Sequence, residues 1–272
     1  MLGPLVFLVV LVGMLTLLVR LGERRMAFFP FRGEDATPSD YGLAFTAVDV
    51  TTSDGERLRA WWMPAERPLA QIVYFHGNGG NLSLWSPVFA GIRRQGFSVL
   101  GLDYRGYGLS TGKPSEQGLY RDAEATLQHF HAQLRVPGVP VVYWGRSLGT
   151  TVAAYGAARR PPDGLILESG FPDARAVLRG FPLLWVLGFF SSYRFPTAEW
   201  LSGVDRPMLL IHATADTIIP YRLGQDLYGR ITAPKRFFTI EGGDHNDLEP
   251  LDRTAYWAAV KEFVASLPAP GG

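Results

Sequence analysis

Apolar and polar residues along this chain form blocks that favour strands and amphipathic helices in turn. Short runs rich in β-branched and aromatic residues predict eight strands, and amphipathic stretches between the later runs predict helices. The predicted strands are residues 44–50, 58–63, 72–75, 98–102, 139–144, 164–167, 208–211 and 236–240. The predicted helices are residues 84–94, 116–134, 148–159, 222–230 and 253–267.

The order of these elements predicts the fold class. The first two strands are joined by Ser53-Asp54-Gly55, which is a hairpin signal, and from the third strand onward strands alternate with helices. Continuous apolar strands between helices are typical of parallel strands that are covered on both faces. We therefore expect an α/β protein with an eight-stranded, mostly parallel sheet that has an antiparallel start and is flanked by helices.

The chain begins with a different pattern, an apolar run without charge from Leu2 to Val19. A helix of this length just covers the roughly 30 Å hydrocarbon core of a bilayer. The arginines Arg20, Arg24 and Arg25 follow, as is typical of a membrane interface. We expect residues 1–25 to be a single-pass anchor in the plasma or inner membrane, and the arginines favour a cytoplasmic location for the rest of the chain. A cleaved signal peptide and a hydrophobic helix of a soluble protein are the alternatives; against the signal peptide, no Lys or Arg precedes the run and no clear cleavage site follows it.

Two further segments lie outside the alternation. Residues 26–43 contain glycine and proline without a clear period, so we interpret them as a linker to an α/β domain at residues 44–268. Residues 171–203, between the sixth and seventh strands, are rich in aromatic side chains and longer than a crossover requires. We expect a small helical cap there, with an ordinary crossover helix packed on the sheet as the alternative.

Composition narrows the classes of function. A length of 272 residues with 47% hydrophobic content suits one large α/β domain plus an appendage. A net charge of +1 provides no strong field for nucleic acid, which we do not expect as a partner. The absence of cysteine excludes a cysteine nucleophile, thiolate zinc sites and disulfides. The 17 Phe, 11 Tyr and 7 Trp indicate an aromatic-rich interior or an apolar site.

The strongest chemical signal is the sequence Gly145-Arg146-Ser147-Leu148-Gly149, between the fifth predicted strand and a predicted helix. In this context, G-x-S-x-G forms a tight, strained turn in which small residues flank the serine and its hydroxyl stands clear of the sheet. The free N–H groups of the following helix favour negative charge that develops nearby. We therefore predict that Ser147 is the nucleophile of a serine hydrolase.

A serine hydroxyl needs a base within hydrogen-bond reach. Among the five histidines, His245 lies in a polar loop after the last strand, where this architecture places its site. Asp216 follows the strand at 208–211 and falls between Ser147 and His245 in the chain, so we predict that its carboxylate orients the imidazole. The alternatives are that Asp216 caps the next helix and that Glu168 is the acid.

Backbone N–H groups are expected to hold the oxyanion. A glycine-rich loop at residues 76–81 follows the third strand and lets N–H groups point at a substrate oxygen. We expect one donor at Leu148, the residue after the nucleophile, and a second at Asn78. A phosphate-binding loop would need a Lys-Ser/Thr ending, which is missing. Asp103 and Arg105, in another loop at a strand end, are interpreted as residues that hold the neighbouring loops.

Taken together, residues 76–81 (HGNGGN), 103–108 (DYRGYG) and 145–149 (GRSLG) resemble the motifs of the α/β-hydrolase superfamily. The resemblance extends over roughly residues 44–268. It is greatest to the membrane-anchored subgroup that is often labelled serine-aminopeptidase-like, which also fits the predicted anchor. This subgroup includes acyl-protein thioesterases and lipid hydrolases, so the label does not fix a substrate.

The resemblance implies that Ser147, Asp216 and His245 form a catalytic triad. In one respect the chain departs from the subgroup: the protein-depalmitoylating members carry an N-terminal cysteine cluster that is absent here, which argues against a depalmitoylase role.

The predicted reaction is hydrolysis of a carboxylic ester or thioester through an acyl-enzyme, without a metal or an organic cofactor. The aromatic segment and the anchor suggest a small-molecule or lipid-like acyl substrate near a bilayer. An alternative is a peptidase that removes N-terminal residues, which would need an acidic pocket for the substrate's ammonium group. Another alternative is a non-catalytic scaffold, although all three triad candidates are present in the sequence.

Overall fold

The computed structural model of the protein describes residues 2–247 and 252–268. In this part of the chain, the strands are β1 (Phe29–Pro30), β2 (Thr46–Thr51), β3 (Arg57–Met63), β4 (Gln71–Phe75), β5 (Gly79–Gly80), β6 (Ser98–Leu102), β7 (Val141–Arg146), β8 (Gly164–Glu168), β9 (Met208–Ala213) and β10 (Lys235–Ile240). The helices are α1 (Leu2–Ala27), α2 (Leu82–Arg94), α3 (Glu116–His129), α4 (Leu148–Arg159), α5 (Ala174–Leu178), α6 (Pro182–Gly188), α7 (Thr197–Leu201), α8 (Tyr221–Arg230) and α9 (Arg253–Ala265).

Eight of these strands form one sheet in the order β10-β9-β8-β7-β4-β6-β3-β2. The pairs β2–β3 and β3–β6 are antiparallel, and the other neighbours are parallel. The predicted eight-stranded, mostly parallel sheet with an antiparallel start is therefore confirmed. The short strands β1 and β5, which the sequence pattern did not predict, pair with each other in a separate parallel ribbon.

Alternate residues of each central strand enter two different cores. In β4, Ile72 and Tyr74 belong to the core that α2 and α9 cover, whereas Val73 and Phe75 belong to the core on the side of α3 and α4. All four side chains are fully buried. Burial on both faces explains why the parallel strands have continuous apolar sequences, because side chains in a strand point to the two faces in turn.

The segment at 26–43, which we predicted to be a linker, packs against the rest of the protein. Helix α1 continues to Ala27, the ring of the buried Phe28 lies 5.4 Å from that of Tyr193, and Phe29–Pro30 pairs with Gly79–Gly80. A single buried aromatic residue and a two-residue strand have no periodicity, so the sequence pattern could not distinguish them from a loop.

Helix α1 is long and apolar enough to cross a membrane. Within Gly3–Ala27, an 18-residue window has a mean hydropathy of 2.6, and this window is not buried in the protein. A signal sequence near the N-terminus has the same length and composition, so this helix fits both the predicted anchor and its alternative.

The aromatic segment at 171–203 contains the three short helices α5, α6 and α7. Helix α7 packs against α4, as a crossover helix would, while α5 and α6 pack against each other. Helix α6 exposes large apolar side chains, among them Trp185 and Val186, and Phe189 directly after the helix is exposed as well. The cap and the crossover helix packed on the sheet both stay predictions for this segment.

The predicted helix at 116–134 is divided. The α-helix ends at His129, and Phe130–Leu134 forms a π-helical turn. Within this turn, His131 Nε2 lies 3.1 Å from the hydroxyl of Tyr143, and burial lowers the pKa of His131 to about 4. The imidazole is therefore neutral at neutral pH and contributes to packing against β7.

Charged side chains tie the loops on the β6 side of the sheet together. Arg105 Nε donates to Asp122 at 2.8 Å, and its terminal nitrogens donate to Asp54 at 2.8 and 3.0 Å. Asp103, two residues earlier, accepts a hydrogen bond from the N–H of Leu82 at 2.9 Å. Burial raises the pKa of Asp122 to about 6 although Arg105 opposes this shift, whereas Asp54 has a lowered pKa because Arg105 donates to it. These contacts agree with the structural role expected for Asp103 and Arg105.

The variant Arg105→Ala is expected to lower the free energy of unfolding by about 3–5 kcal/mol, because the carboxylate of Asp122 is fully buried and would lose its cation. Arg121 provides a matched control, since it pairs with the same Asp54 at 3.0 Å from an exposed position. The variant Arg121→Ala should cost about 1 kcal/mol or less. Urea unfolding of the full chain in detergent micelles measures both values, and equal costs would contradict this account.

Candidate active site

Ser147 occupies the junction between β7 and α4. Its φ of 53° and ψ of −118° lie in a region that a residue with a side chain rarely adopts. The flanking glycines make this turn possible. A Cβ at Gly145 would lie 2.2 Å from the carbonyl oxygen of Gly149, and a Cβ at Gly149 would lie 1.9 Å from the carbonyl oxygen of Phe75. The strand-turn-helix context predicted for this sequence is therefore present, together with the strain that such a turn stores.

The structure brings the three predicted triad residues into one chain of hydrogen bonds. His245 Nε2 lies 2.9 Å from Ser147 Oγ, and His245 Nδ1 lies 2.8 Å from Asp216 Oδ2. They meet because β7, β9 and β10 are parallel, so that the segments following these strands lie at the same edge of the sheet. With Nδ1–H donating to the carboxylate, Nε2 is free to accept the proton of the serine hydroxyl.

Asp216 is held as a carboxylate by its surroundings. Its side chain is completely buried, and Oδ1 accepts hydrogen bonds from the N–H groups of Ile218 at 3.0 Å and Ile219 at 2.7 Å. Burial alone would raise the pKa of Asp216, but contacts with His212 and His245 and the N–H of Ile219 outweigh it and hold the pKa below its usual range. A charged acceptor therefore faces the imidazole at neutral pH.

Neither alternative for the acid, Asp216 as a helix cap or Glu168 as the partner of His245, is found in the structure. Asp216 does not cap helix α8, because the residue before that helix is Pro220. Glu168 accepts hydrogen bonds from Trp144 Nε1 at 3.2 Å and Tyr256 Oη at 3.0 Å, within the core that α9 covers. Its carboxylate also lies 3.6 Å from Arg146, so it balances that buried cation.

Arg146 is a residue of the site that the sequence analysis did not assign. Its guanidinium is buried and donates to the carbonyl oxygens of His245 at 3.0 Å and Asp247 at 2.5 Å. It thus connects the turn that carries Ser147 with the loop that carries His245. The sequence held one signal for this role, the position of Arg146 next to Ser147. A long cationic side chain in a turn that otherwise favours small residues is expected to have a hydrogen-bond or ion-pair partner.

A second tie joins the loops of the acid and the base. Asp244, directly before His245, accepts hydrogen bonds from both the N–H and the hydroxyl of Thr217 at 2.8 Å. These bonds lower the pKa of Asp244. Since Thr217 follows Asp216, this contact fixes the two loops relative to each other beside the imidazole.

The two predicted oxyanion donors line the same cavity as Ser147 and His245. Leu148 is the first residue of α4, where an N–H group has no acceptor within the helix. Asn78 is held through its other groups: its Nδ2 donates to the carbonyl of Ala27 at 2.7 Å, and its backbone carbonyl accepts from Tyr107 Oη at 2.8 Å. Its backbone N–H is the group left for a ligand.

His76, which precedes this loop, has a structural role. Its Nδ1–H donates to the carbonyl of Gly77 at 2.7 Å, and burial lowers the pKa of His76 to about 4. Its Nε2 faces Asp103 at 3.7 Å, and burial raises the pKa of that carboxyl to about 8. Burial thus disfavours a charge on either side chain beneath the loop.

A cavity of about 980 Å³ opens above Ser147 and His245. This volume suits a drug-sized or lipid-like ligand. Most of its wall is apolar and comes from the segment at 171–203 and from the C-terminal half of α1. The larger apolar residues that these two segments contribute to the wall are Leu15, Leu18, Val19, Met26, Phe171, Val177, Leu178, Leu184, Leu187 and Phe195.

A family model described as "Serine aminopeptidase, S33" matches residues 66–204, which include the glycine-rich loop at residues 76–81 and Ser147. The chain belongs to this family. An uncharacterized protein of Mycobacterium tuberculosis is 34% identical over 245 residues, which cover 89% of this chain and 87% of that protein. The human alpha/beta hydrolase domain-containing protein 17B is 31% identical over 217 residues, which cover 79% of this chain and 73% of that protein.

Solved structures share the fold of this S33-family chain. An esterase of Pyrococcus furiosus matches with a TM-score of 0.72 at 20% identity, covering 88% of this chain and 97% of that one. At this level of identity the likeness establishes the architecture. It confirms the α/β-hydrolase fold that the sequence motifs predicted.

Proposed function

We propose that the protein is a serine hydrolase that cleaves carboxylic esters or thioesters through an acyl-enzyme. The observation that carries this proposal is the chain of short hydrogen bonds from Ser147 through His245 to Asp216 at the floor of an apolar cavity. Membership of the S33 family supports a hydrolase, and the name of the structurally similar Pyrococcus furiosus esterase supports ester chemistry.

In the proposed mechanism, Ser147 Oγ attacks the carbonyl carbon while His245 Nε2 takes the hydroxyl proton. The imidazolium that forms is stabilised by the carboxylate of Asp216. Negative charge on the carbonyl oxygen is held by the N–H groups of Asn78 and Leu148, each of which supplies on the order of 3 kcal/mol to the transition state. His245 then protonates the leaving alcohol or thiol, and later activates the water that releases the acid and restores Ser147.

The wall of the cavity favours an acyl chain over a peptide N-terminus. A peptidase that removes terminal residues needs a free carboxylate to hold an ammonium group. Among the described residues that line the cavity, the carboxylate is Glu23, and it is occupied by hydrogen bonds from Ser191 and Ser192. We therefore infer an acyl ester or thioester as the substrate class and keep peptides as competitors in the assay.

A fluorophosphonate probe should label the full-length protein, and Ser147→Ala should abolish the labelling because the probe reacts with an activated serine hydroxyl. The control is Ser202→Ala, which removes an exposed hydroxyl that contacts only the turn of its own helix. Competition with esters, thioesters and peptides then ranks the substrate classes by loss of in-gel fluorescence. A wild-type protein that resists the probe would support the non-catalytic scaffold and reject the hydrolase.

The variant Asp216→Asn should lower kcat by about 10³–10⁴-fold, because an amide at this position no longer fixes the tautomer or stabilises the imidazolium. The matched control is Asp244→Asn, which changes a half-buried carboxylate next to His245 and should leave kcat within about tenfold of the wild type. Steady-state hydrolysis of a soluble ester measures both. If Asp216→Asn stays fully active, a different acid such as Glu168 orients the base.

We also propose that α1 stays on the mature protein as a single-pass anchor. Two contacts support this: Asn78 of the oxyanion loop donates to the carbonyl of Ala27, and Glu23 binds Ser191 and Ser192. Removal of the helix as a signal peptide would leave these polar groups without partners. The mature protein should therefore resist extraction from membranes by alkaline carbonate and keep the full-length intact mass. A mass that lacks residues 1–25 would disprove the anchor.

A further inference from the structure

The two halves of α1 have different surroundings. The residues from Gly3 to Met14 are exposed on all sides of the helix. In the second half, one face lines the cavity of the candidate site. The residues on this face recur every three or four positions, as expected for one side of a helix, and comprise Leu15, Leu18, Val19, Gly22, Glu23, Met26 and Ala27.

Polar contacts hold this second half in place at two points. The carboxylate of Glu23 accepts hydrogen bonds from Ser191 Oγ at 2.7 Å, from the N–H of Ser192 at 2.8 Å and from the hydroxyl of Ser192. Four residues later, the carbonyl of Ala27 accepts from Asn78 Nδ2 at 2.7 Å. Helix α1 is thus attached both to the segment that follows α6 and to the loop that carries a predicted oxyanion donor. A flexible tether would need neither attachment.

The cavity and the apolar run overlap along α1. Leu15, Leu18 and Val19 line the cavity, yet they precede Arg20, the first charged residue of the chain. At about 1.5 Å per residue, the distance from Leu15 to Val19 is about 6 Å. If the uncharged run lies in the hydrocarbon core, this end of the cavity lies there too.

A second surface beside the cavity is suited to hydrocarbon. Helix α6 turns Leu184 and Leu187 towards the cavity, while Trp185, Val186 and Phe189, the residue directly after the helix, are exposed. A short helix that is apolar on both sides is expected in contact with lipid or inside a core. Because Glu23 of α1 binds the residues that follow α6, this exposed apolar surface continues the surface of the membrane helix.

We propose that α1 is a wall of the acyl-binding pocket and that the acyl chain of a bilayer-embedded substrate enters the pocket from the membrane along this wall. The face from Leu15 to Ala27 extends about 18 Å at 1.5 Å per residue, which is enough to run beside a long acyl chain. At its inner end this face reaches Asn78, next to the reacting carbonyl in the proposed mechanism. This inference rests on the proposed hydrolase function and specifies its substrate as a long-chain lipid ester or thioester.

Gly22 provides a direct test of the wall. It lines the cavity, and a Cβ added there meets no atom within 4 Å, so a larger side chain enters the pocket without displacing the helix. The measured quantity is kcat/KM for umbelliferyl palmitate divided by kcat/KM for umbelliferyl acetate. In Gly22→Leu this ratio should fall at least about tenfold, because the new side chain takes the place of part of the acyl chain. A tenfold fall corresponds to a loss of about 1.4 kcal/mol of acyl-chain binding. This ratio does not depend on the fraction of protein that is folded.

The matched control is Gly13→Leu, which makes the same substitution on the same helix. Gly13 is exposed, does not line the cavity and also has no atom within 4 Å of an added Cβ. This variant should keep the wild-type ratio. A Gly22→Leu protein with the wild-type ratio, or a Gly13→Leu protein with an equal loss, would overturn the assignment of α1 as a pocket wall.

Entry from the membrane is tested with phosphatidylcholine vesicles. The full-length protein should hydrolyse umbelliferyl palmitate at least about tenfold faster when enzyme and substrate share the same vesicles than when they are in separate vesicles. Equal initial rates would mean that the substrate arrives through water, and would reject the proposed route. Wild-type protein that hydrolyses neither ester and resists the fluorophosphonate probe would instead reject the hydrolase function itself, so the two failures are distinguishable.

Discussion

The close approach of α4 to the end of β4 fixes the position of Ser147, the residue directly before α4. A methyl group at Gly149 would collide with the carbonyl oxygen of Phe75, so the first turn of the helix rests directly on the strand end. Ser147 has a positive φ because strand and helix join here without an intervening loop. The same contact places the free N–H at the start of α4 beside the loop that carries Asn78. The contact between Gly149 and Phe75 therefore sets the position of both the hydroxyl of Ser147 and the N–H of Leu148, one of the two predicted oxyanion donors.

The electrostatics of the site depend on the buried carboxylate of Asp216, whose hydrogen-bond partners all come from the protein itself. Two backbone N–H groups of its own loop and the imidazole of His245 surround Asp216. A buried charge with these partners is stable, whereas an unpaired one would be expelled or protonated. The imidazole of His245 is consequently oriented in the protein without a ligand.

Local patterns in the sequence were sufficient to predict the sheet and to place the three triad candidates at the same edge of it. Continuous apolar strands alternate with helices, and the segments after parallel strands meet at one edge, so Ser147, Asp216 and His245 could be placed there by order alone. The packing of residues 26–43 was missed because its contacts come from Phe28 and a two-residue strand, which have no period. The role of Arg146 was missed because its partners are carbonyl groups far along the chain.

The contacts of Arg146 have a consequence for how this site can diverge among related chains. Its guanidinium binds main-chain oxygens of the loop that carries His245, and main-chain oxygens are supplied by every amino acid. The position of this part of the backbone therefore depends little on which side chains the loop carries, apart from the carboxylate of Asp244, which binds Thr217. Related chains can therefore differ in the side chains of this loop while the buried cation beside Ser147 keeps the backbone next to the imidazole in place.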